Sequence, residues 1–482
     1  MPARMEFSFG ASRPQAQRRA DRGPMRLLLV GDFSARPAAE RPPLATRPTL
    51  RVDLDNLDQV LQRLAPRLSL PSGDIGFKQI DDFHPDRLQA RLDVFRALRE
   101  TRQRLLDPAQ FAQAAAALQQ SAAAPASPAP AAPIARPAGD DDLLAQLLGG
   151  RPAGESKAPA ASAASGIDAL IRSIVAPHIV PDIAPQQARY VASVDAATGE
   201  QMRALLHAPS FQALEAAWRG VQWLISNLEL DEDLQLHLFD LGRDELLADV
   251  VAAQGHIENT GLHAALADRW RNQPGAESWS ALVGLYEFGP SDTDIGLLAA
   301  LAVIATQAGG PLLAGGQPAL AAAPPFAGWQ ALRQSEVAPW IGLAAPRVLL
   351  RLPYGKAADP IDSFVFEEFG ATPVHEHYLW GSGALACALS IGRAYSERGW
   401  DFEPGDHRDL GDLPAYSYLH EGERRLQAVA ERYLSDAEAQ SLLSAGLMPL
   451  LSHRQRNAAT LMRFQSIAEP SVALAGLSGR KS

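Results

Sequence analysis

The chain has 482 residues, 47% hydrophobic and 21% charged, which excludes disorder along its whole length and suggests roughly two to four domains. Its formal net charge of -11, from 44 basic and 55 acidic residues, excludes a protein whose main task is to neutralise nucleic-acid phosphates. A lone cysteine, Cys387, excludes a disulfide framework and any cysteine-built zinc or iron–sulfur site, and fits a reducing cytoplasm.

The first 24 residues are mostly polar and arginine-rich and read as an arm. Within them Glu6, Phe7, Ser8 and Phe9 alternate polar and apolar side chains with a period of two, which suits one short strand. The run Met25 to Val30 is too short for the core of a signal peptide and reads as a buried strand, so no export signal is evident. A compact α/β unit is expected over 25–112. Leu50 to Leu54 gives a second strand, Leu57, Val60, Leu61 and Leu64 one helix face, and Ile75 with Phe77 a further strand. A second helix starts near Pro85 and carries the stripe Leu88, Leu92, Phe95, Leu98 and Leu105.

From Gln113 to Ser165 the composition collapses to Ala, Pro, Ser and Gly, too little apolar surface to offset the entropy of ordering, and reads as a disordered linker. One island interrupts it over 141–149, where Asp140, Asp141 and Asp142 precede Leu143, Leu144, Leu147 and Leu148. Those residues make a short amphipathic helix with acids at its positive end. Such a helix serves either a partner or its own domain, with equal weight on sequence alone.

The second folded region spans 166–482. Phe211, Leu214, Trp218, Val221 and Ile225 form a helical stripe, and Leu234, Leu236 and Leu238 a half-exposed strand. Ser280 to Tyr286 and Arg347 to Leu352 read as buried strands alternating with helices at Gly242 to Ala253 and Ile295 to Thr306, a pattern that implies a largely parallel, layered sheet. The apolar stretch from Ile295 to Ala314 is broken at Gln307, Gly309, Gly310 and Pro311 and reads as helix, turn and strand rather than a membrane span, with Ser291 and Asp294 as its capping box. Phe364 to Phe366 reads as a short strand, Ala384 to Tyr395 as a helix, and Gly422 to Leu450 as two helices. The fold class is therefore α/β: two α/β domains with layered mixed sheets, joined by an Ala/Pro-rich linker.

No catalytic constellation is present. Leu352-Pro353-Tyr354-Gly355-Lys356 lacks the spacing and the Ser or Thr of a phosphate loop, and Val30-Gly31-Asp32-Phe33 has no glycine fingerprint for a dinucleotide. His375-Glu376-His377 lacks a third metal ligand and reads as an ordinary histidine pair. Gly381-Ser382-Gly383 is a turn opening a helix, Glu367 and Glu368 point to opposite faces, and Asp292 and Asp294 are helix-start residues. Trp218, Trp223, Trp380 and Trp400 read as core or interface anchors. No set of residues meets the requirements of an enzyme site, and no cofactor is expected.

The motifs that remain resemble a family, the contractile sheath of bacterial type VI secretion systems, with features of its small and large subunits in one chain. Gly31-Asp32-Phe33-Ser34, Val52-Asp53-Leu54-Asp55-Asn56-Leu57, Leu64-Ala65-Pro66-Arg67-Leu68 and Asp81-Asp82-Phe83-His84-Pro85-Asp86 look like small-subunit signatures. The large-subunit resemblance runs from the Leu143 to Leu148 helix and Ile167 to Ile171 through Phe211-Gln212-Ala213-Leu214-Glu215-Ala216-Ala217-Trp218-Arg219-Gly220 and Tyr286-Glu287-Phe288-Gly289-Pro290. It continues through Pro346 to Gly355, Tyr378-Leu379-Trp380-Gly381, Gly399-Trp400, Leu413-Pro414 and Leu442 to Leu451.

The resemblance implies a structural protein without catalytic residues, assembling in the cytoplasm with sheath subunits and itself around an inner-tube protein. It also implies contacts with baseplate components and an AAA+ unfoldase, and no nucleic acid or membrane insertion. Under it, Leu143, Leu144, Leu147 and Leu148 would be the unfoldase contact, and Glu6, Phe7, Ser8 and Phe9 a strand donated between protomers. The large subunit normally continues beyond the region matched by Leu442 to Leu451, so the alternative expectation is an accessory adaptor or end cap that does not form the sheath wall.

Overall fold

Residues 23–70, 73–122, 187–269, 277–356, 358–370 and 373–477 are described by the computed structural model of the chain. The first apolar run forms strand β1 (Met25–Gly31), with Leu27 and Leu29 buried on one side and Leu28 and Val30 on the other. A period of two with both faces apolar is what a strand covered on both sides requires. β2 (Leu50–Val52) and α1 (Leu57–Leu64) follow, then an antiparallel hairpin of β3 (Arg67–Leu70) and β4 (Gly73–Gly76).

The helix expected from Pro85 is two helices, α2 (Pro85–Arg91) and α3 (Asp93–Leu106). Leu92 between them is extended, with φ -81° and ψ 134°, yet stays buried, so the apolar stripe continues across the break. α4 (Phe111–Ala122) occupies residues that composition assigns to the linker. Alanine is the strongest helix former, and Ala115 and Leu118 give this helix a buried face that composition does not register. The remainder of the expected linker, its helix over 141–149 with Leu143, Leu144, Leu147 and Leu148, and the strand at Glu6, Phe7, Ser8 and Phe9 lie outside the described residues.

The larger region contributes α5 (Gln187–Leu206), α6 (Pro209–Asn227), β5 (Leu234–Asp240), α7 (Arg243–Ala252), β6 (Ala281–Phe288), α8 (Asp292–Ala308), β7 (Leu312–Gly316), α9 (Ala327–Arg333) and β8 (Ile341–Ala345). Ser291 caps α8 by accepting from the Asp294 backbone N–H. The short β9 (Val348–Leu349) and β10 (Trp380–Gly381) pair with each other, and α10 (Ala384–Arg398), β11 (Asp409–Leu410) and the hairpin β12 (Ser417–His420) and β13 (Glu423–Leu426) follow. α11 (Asp436–Ser444), β14 (Leu447–Ser452) and β15 (Ala459–Leu461) come last among these.

Several expectations are corrected here. Leu234, Leu236 and Leu238 belong to a covered strand, because β5 lies inside the sheet and a helical layer packs on that face. Ile341–Ala345, not Arg347 to Leu352, is the main-sheet strand, since Arg351 turns into an ion cluster. Phe364 to Phe366 is a loop, in which Phe366 is buried and Val365 exposed. Gly422 to Leu450 holds one helix flanked by strands: Glu421 and Gly422 at φ 54° and 82° turn a hairpin, and Met448 and Leu450 enter the sheet.

The α/β architecture with a mixed sheet holds, and the two regions share it. One nine-stranded sheet runs in the order β11-β15-β14-β8-β7-β6-β1-β5-β2. β1 is parallel to β5 along its whole length, from Met25 opposite Leu234 to Gly31 opposite Asp240, and parallel to β6 from Leu27 opposite Ala281 to Val30 opposite Gly284. One face is covered by α1, α3, α5, α6 and α10, the other by α7, α8, α9 and α11. No helix among the described residues is long and apolar enough to cross a membrane.

Candidate assembly seam

The motifs singled out in the sequence converge where residues 23–122 meet residues 187–477. Two further backbone hydrogen bonds close the ends of β1: Met25 N–H donates to Asp233 O at 2.7 Å and Leu241 N–H to Gly31 O at 2.8 Å. Just past β1, Asp240 caps the turn of the Gly31-Asp32-Phe33-Ser34 motif. Its Oδ1 accepts from the backbone N–H groups of Phe33 and Ser34 at 2.8 and 3.0 Å, and its Oδ2 from the Ser34 hydroxyl at 2.6 Å. Trp218 of α6 donates its indole N–H to Phe33 O at 2.8 Å and meets the Phe33 ring edge-on, with centroids 5.7 Å apart. A buried indole needs such an acceptor, which explains a tryptophan here better than apolar packing alone.

Next to it, Phe77 and Phe83 stack at 4.2 Å and both meet Phe211 of α6 edge-on, at 6.0 and 5.8 Å. Arg47 forks onto Glu245 of α7 at 2.9 and 2.6 Å and also reaches Asp240 O. Farther along the seam Arg102 of α3 pairs with Asp195 of α5 at 2.6 Å, and Asp86 accepts from the backbone of Asp362 and Ser363. Burial pushes the Asp86 carboxyl up, but the Ser363 hydroxyl, which also donates to it, and these backbone contacts outweigh that and lower its pKa.

Beneath the seam lies a balanced set of buried charges. Glu215 of α6 accepts from Arg219 at 2.7 Å and Arg351 at 2.9 Å; Arg351 forks onto Glu368 at 2.7 and 3.0 Å; Glu368 also accepts from Tyr354 N–H at 2.8 Å. Arg219 donates to the Tyr354 hydroxyl, the Arg351 guanidinium lies 4.2 Å from the Tyr354 ring centroid, and His84 of the small-subunit motif meets that ring edge-on at 5.0 Å. Burial would raise the Glu368 carboxyl, but Arg351 and the other donors outweigh it and hold it down at about 2. Burial likewise works against the charge on Arg351, and Glu215 and Glu368 more than offset it. The ions are matched in number and hydrogen-bonded, the condition under which buried charge is tolerated.

The histidine pair is divided: His375 bonds Glu431 at 3.0 Å, while His377 stacks on His207 at 3.8 Å. Among the described residues no group of three or more His, Cys, Asp or Glu side chains is placed to hold a metal ion. Ser382 does precede a helix, and Cys387 is buried in α10, where burial pushes its thiol up to about 12. Asp240, Glu215 and Glu368 carry much of the seam and were not singled out for it. Glu215 stood inside the Phe211 to Gly220 motif, whereas nothing near Asp240 in the sequence announces a turn almost 210 residues earlier that it caps.

The geometry defines a class: an α/β protein in which a smaller amino-terminal region is built as a central strand into the sheet of a larger one. Residues 188–323 and 318–468 match the family described as the VipB/EvpB tail sheath N-terminal domain, and residues 2–123 match the type VI secretion system VipA family. The chain is 30% identical over 305 residues to the type VI secretion system sheath protein TssC1 of Pseudomonas aeruginosa, an alignment covering 58% of this chain and 61% of that protein. The chain belongs to the type VI secretion tail sheath family, with the VipA-like part ahead of the VipB-like part.

Proposed function

We propose that the chain is a structural subunit of a type VI secretion contractile sheath that carries both sheath regions in one polypeptide and catalyses no reaction. The observation behind this reading is the seating of β1 between β5 and β6, which makes the two family regions one folded body. It works in the cytoplasm, assembles with sheath subunits and further copies of itself around the inner tube, and meets baseplate components and an AAA+ unfoldase. Leu143, Leu144, Leu147 and Leu148 form the unfoldase contact, and Glu6, Phe7, Ser8 and Phe9 the strand given to a neighbour. In sequence order the chain divides into the arm, the 25–112 region, the tether and the 166–482 region, with α4 carrying the first folded stretch on to Ala122.

Negative-stain electron microscopy of the full chain, gold-labelled and co-expressed with cognate tube and sheath proteins, tests this. Label along the length of tubes is expected. Label confined to tube ends or isolated rings would instead assign it to an end cap or adaptor. Changing Leu144 and Leu147 to Asp should abolish pull-down of the unfoldase, and unchanged pull-down would remove that role from the helix.

A further inference from the structure

His375 and His377 stand two residues apart on a short turn, and different parts of the chain hold their rings. His375 Nε2 bonds Glu431 at 3.0 Å and its ring stacks on Trp380 with centroids 5.3 Å apart. Gln212 of α6 donates to the carbonyls of Glu376 and His377 at 3.1 and 3.4 Å. His377 lies face to face with His207: the ring centroids are 3.8 Å apart and the planes within 11°, so the two imidazoles overlap almost fully.

The two rings differ in their freedom. His207 closes the carbonyl end of α5, where its backbone N–H donates to Arg203 O, and its side chain is only 9% exposed. Phe369 lies roughly parallel to it at 6.3 Å, and its Nε2 is 3.4 Å from Glu368 Oε1 without a hydrogen bond. His377 is half-buried, and the stack borders a cavity of about 670 Å³ together with Arg203, Phe369 and Val374. That space takes the His377 ring when it turns off His207.

We propose that the His207–His377 stack is an acid-sensitive catch, which keeps the turn seated on the end of α5 while either ring is neutral and lets His377 swing away once both are protonated. A single imidazolium packs well on a neutral aromatic face, whereas two like charges at this separation repel with little water between them to screen the repulsion. His207 is enclosed, so His377 is the ring that moves and the turn that carries it loosens. The proposal rests on the geometry of this turn and does not depend on the sheath reading.

The charges around the stack set the pH window. Burial, and after it the neighbouring His207, hold the His377 imidazole below its ordinary 6.5, against Glu376 on the same turn and Glu368 beside His207. From α5, Glu200 and Arg203 border the cavity, and Arg203 is tied to Glu367 O at 3.0 Å. Glu368 is engaged by Arg351 and Glu431 by Arg347, so neither carboxylate is free to neutralise a second imidazolium. The seated His377 ring takes up a proton less readily than a released one, so the catch has its full strength above pH 6.5 and weakens as pH falls below it. Protonation of His375 acts the other way by tightening its bond to Glu431, which keeps that side of the turn anchored.

The test follows amide hydrogen exchange of the full-length protein by mass spectrometry at pH 7.5 and 5.5, with the intrinsic pH dependence of exchange divided out. The amides to watch are those of His377 and Tyr378, which donate to Val374 O and His375 O within the turn, and peptides from α6 serve as the internal reference. Protection of the two turn amides is expected to fall severalfold at pH 5.5 while that of α6 holds. In His377→Phe, whose ring stacks but never charges, and in His207→Phe, the fall should disappear. Equal protection at both pH values in the unaltered protein overturns the proposal, as does a parallel fall in α6 or a fall of unchanged size in a Phe variant whose α6 protection shows it to be folded. The first two outcomes need no variant, and none of these results bears on the tube-labelling experiment.

Discussion

Two buried carboxylates of this molecule have opposite surroundings. Glu368, beneath the seam, is fully enclosed and accepts from Arg351 and Tyr354 N–H, with His207 Nε2 3.4 Å away, while Glu287, at the carboxyl end of β6, keeps one oxygen buried and unmatched. Burial opposes ionisation of both; matched donors reverse it at Glu368 and fail to at Glu287. A satisfied charge of this kind holds parts of one chain in register, whereas an unsatisfied one costs stability whenever it is ionised.

Breaking the matched set has the largest expected effect. Arg351→Ala leaves Glu215 and Glu368 buried with fewer counter-charges and is expected to cost about 3–5 kcal/mol in urea unfolding. The two sites also titrate in opposite directions. The Glu368 carboxyl is held at about 2, below the ordinary 4.5, so its contribution is present above pH 4.5 and is lost as pH falls towards 2. Glu287 is raised from 4.5 to about 7, so the native state holds its proton longer than the unfolded chain, and stability declines as pH rises through that window. The decline amounts to about 3 kcal/mol for a shift of that size, and Glu287→Gln should remove it from a series of melts between pH 4.5 and 8.

Smaller changes sharpen the contrast at the seam itself. Trp218→Phe keeps a ring against Phe33 but abandons the hydrogen bond to Phe33 O, and about 1–2 kcal/mol of destabilisation by denaturant unfolding is expected. Arg102→Ala removes a pair whose side chains are each more than two-fifths exposed, and a loss under about 1 kcal/mol is expected in the same assay.

Much of the layer structure was legible because period-two and period-four patterns report burial directly. Leu27 to Val30 and the stripe from Phe211 to Ile225 found their elements without help from the rest of the chain. Partner choice among strands was not legible. Leu234, Leu236 and Leu238 look half-exposed because Gln235 and His237 alternate with them, and only the pairing of β5 with β1 and β2 explains why His237 is buried too. Strand and helix were also confused where a short apolar run follows a helix, as at Met448 and Leu450 after α11. At the seam, the aromatic and arginine motifs were visible as signatures, but their joint geometry was not, because Phe33 and Trp218 meet across 185 residues of chain and His84 and Tyr354 across still more. Alanine-rich sequence misled in the other direction, since α4 has the composition of a tether and the burial pattern of a core helix.

The central position of β1 also sets a timetable. Its partners are Leu234 to Asp240 on one side and Ala281 to Gly284 on the other, so a strand made within the first 31 residues has nowhere to dock until more than two hundred more have been synthesised. At roughly 5–20 residues per second, that is a wait of about ten seconds or more. During it Leu27, Leu28, Leu29 and Val30 are an unpaired apolar strand, the kind of segment that holdase chaperones bind and that aggregates when left bare. Carrying both regions on one message shortens the search once β6 emerges, because the waiting strand is tethered to its slot and no longer has to find it by diffusion.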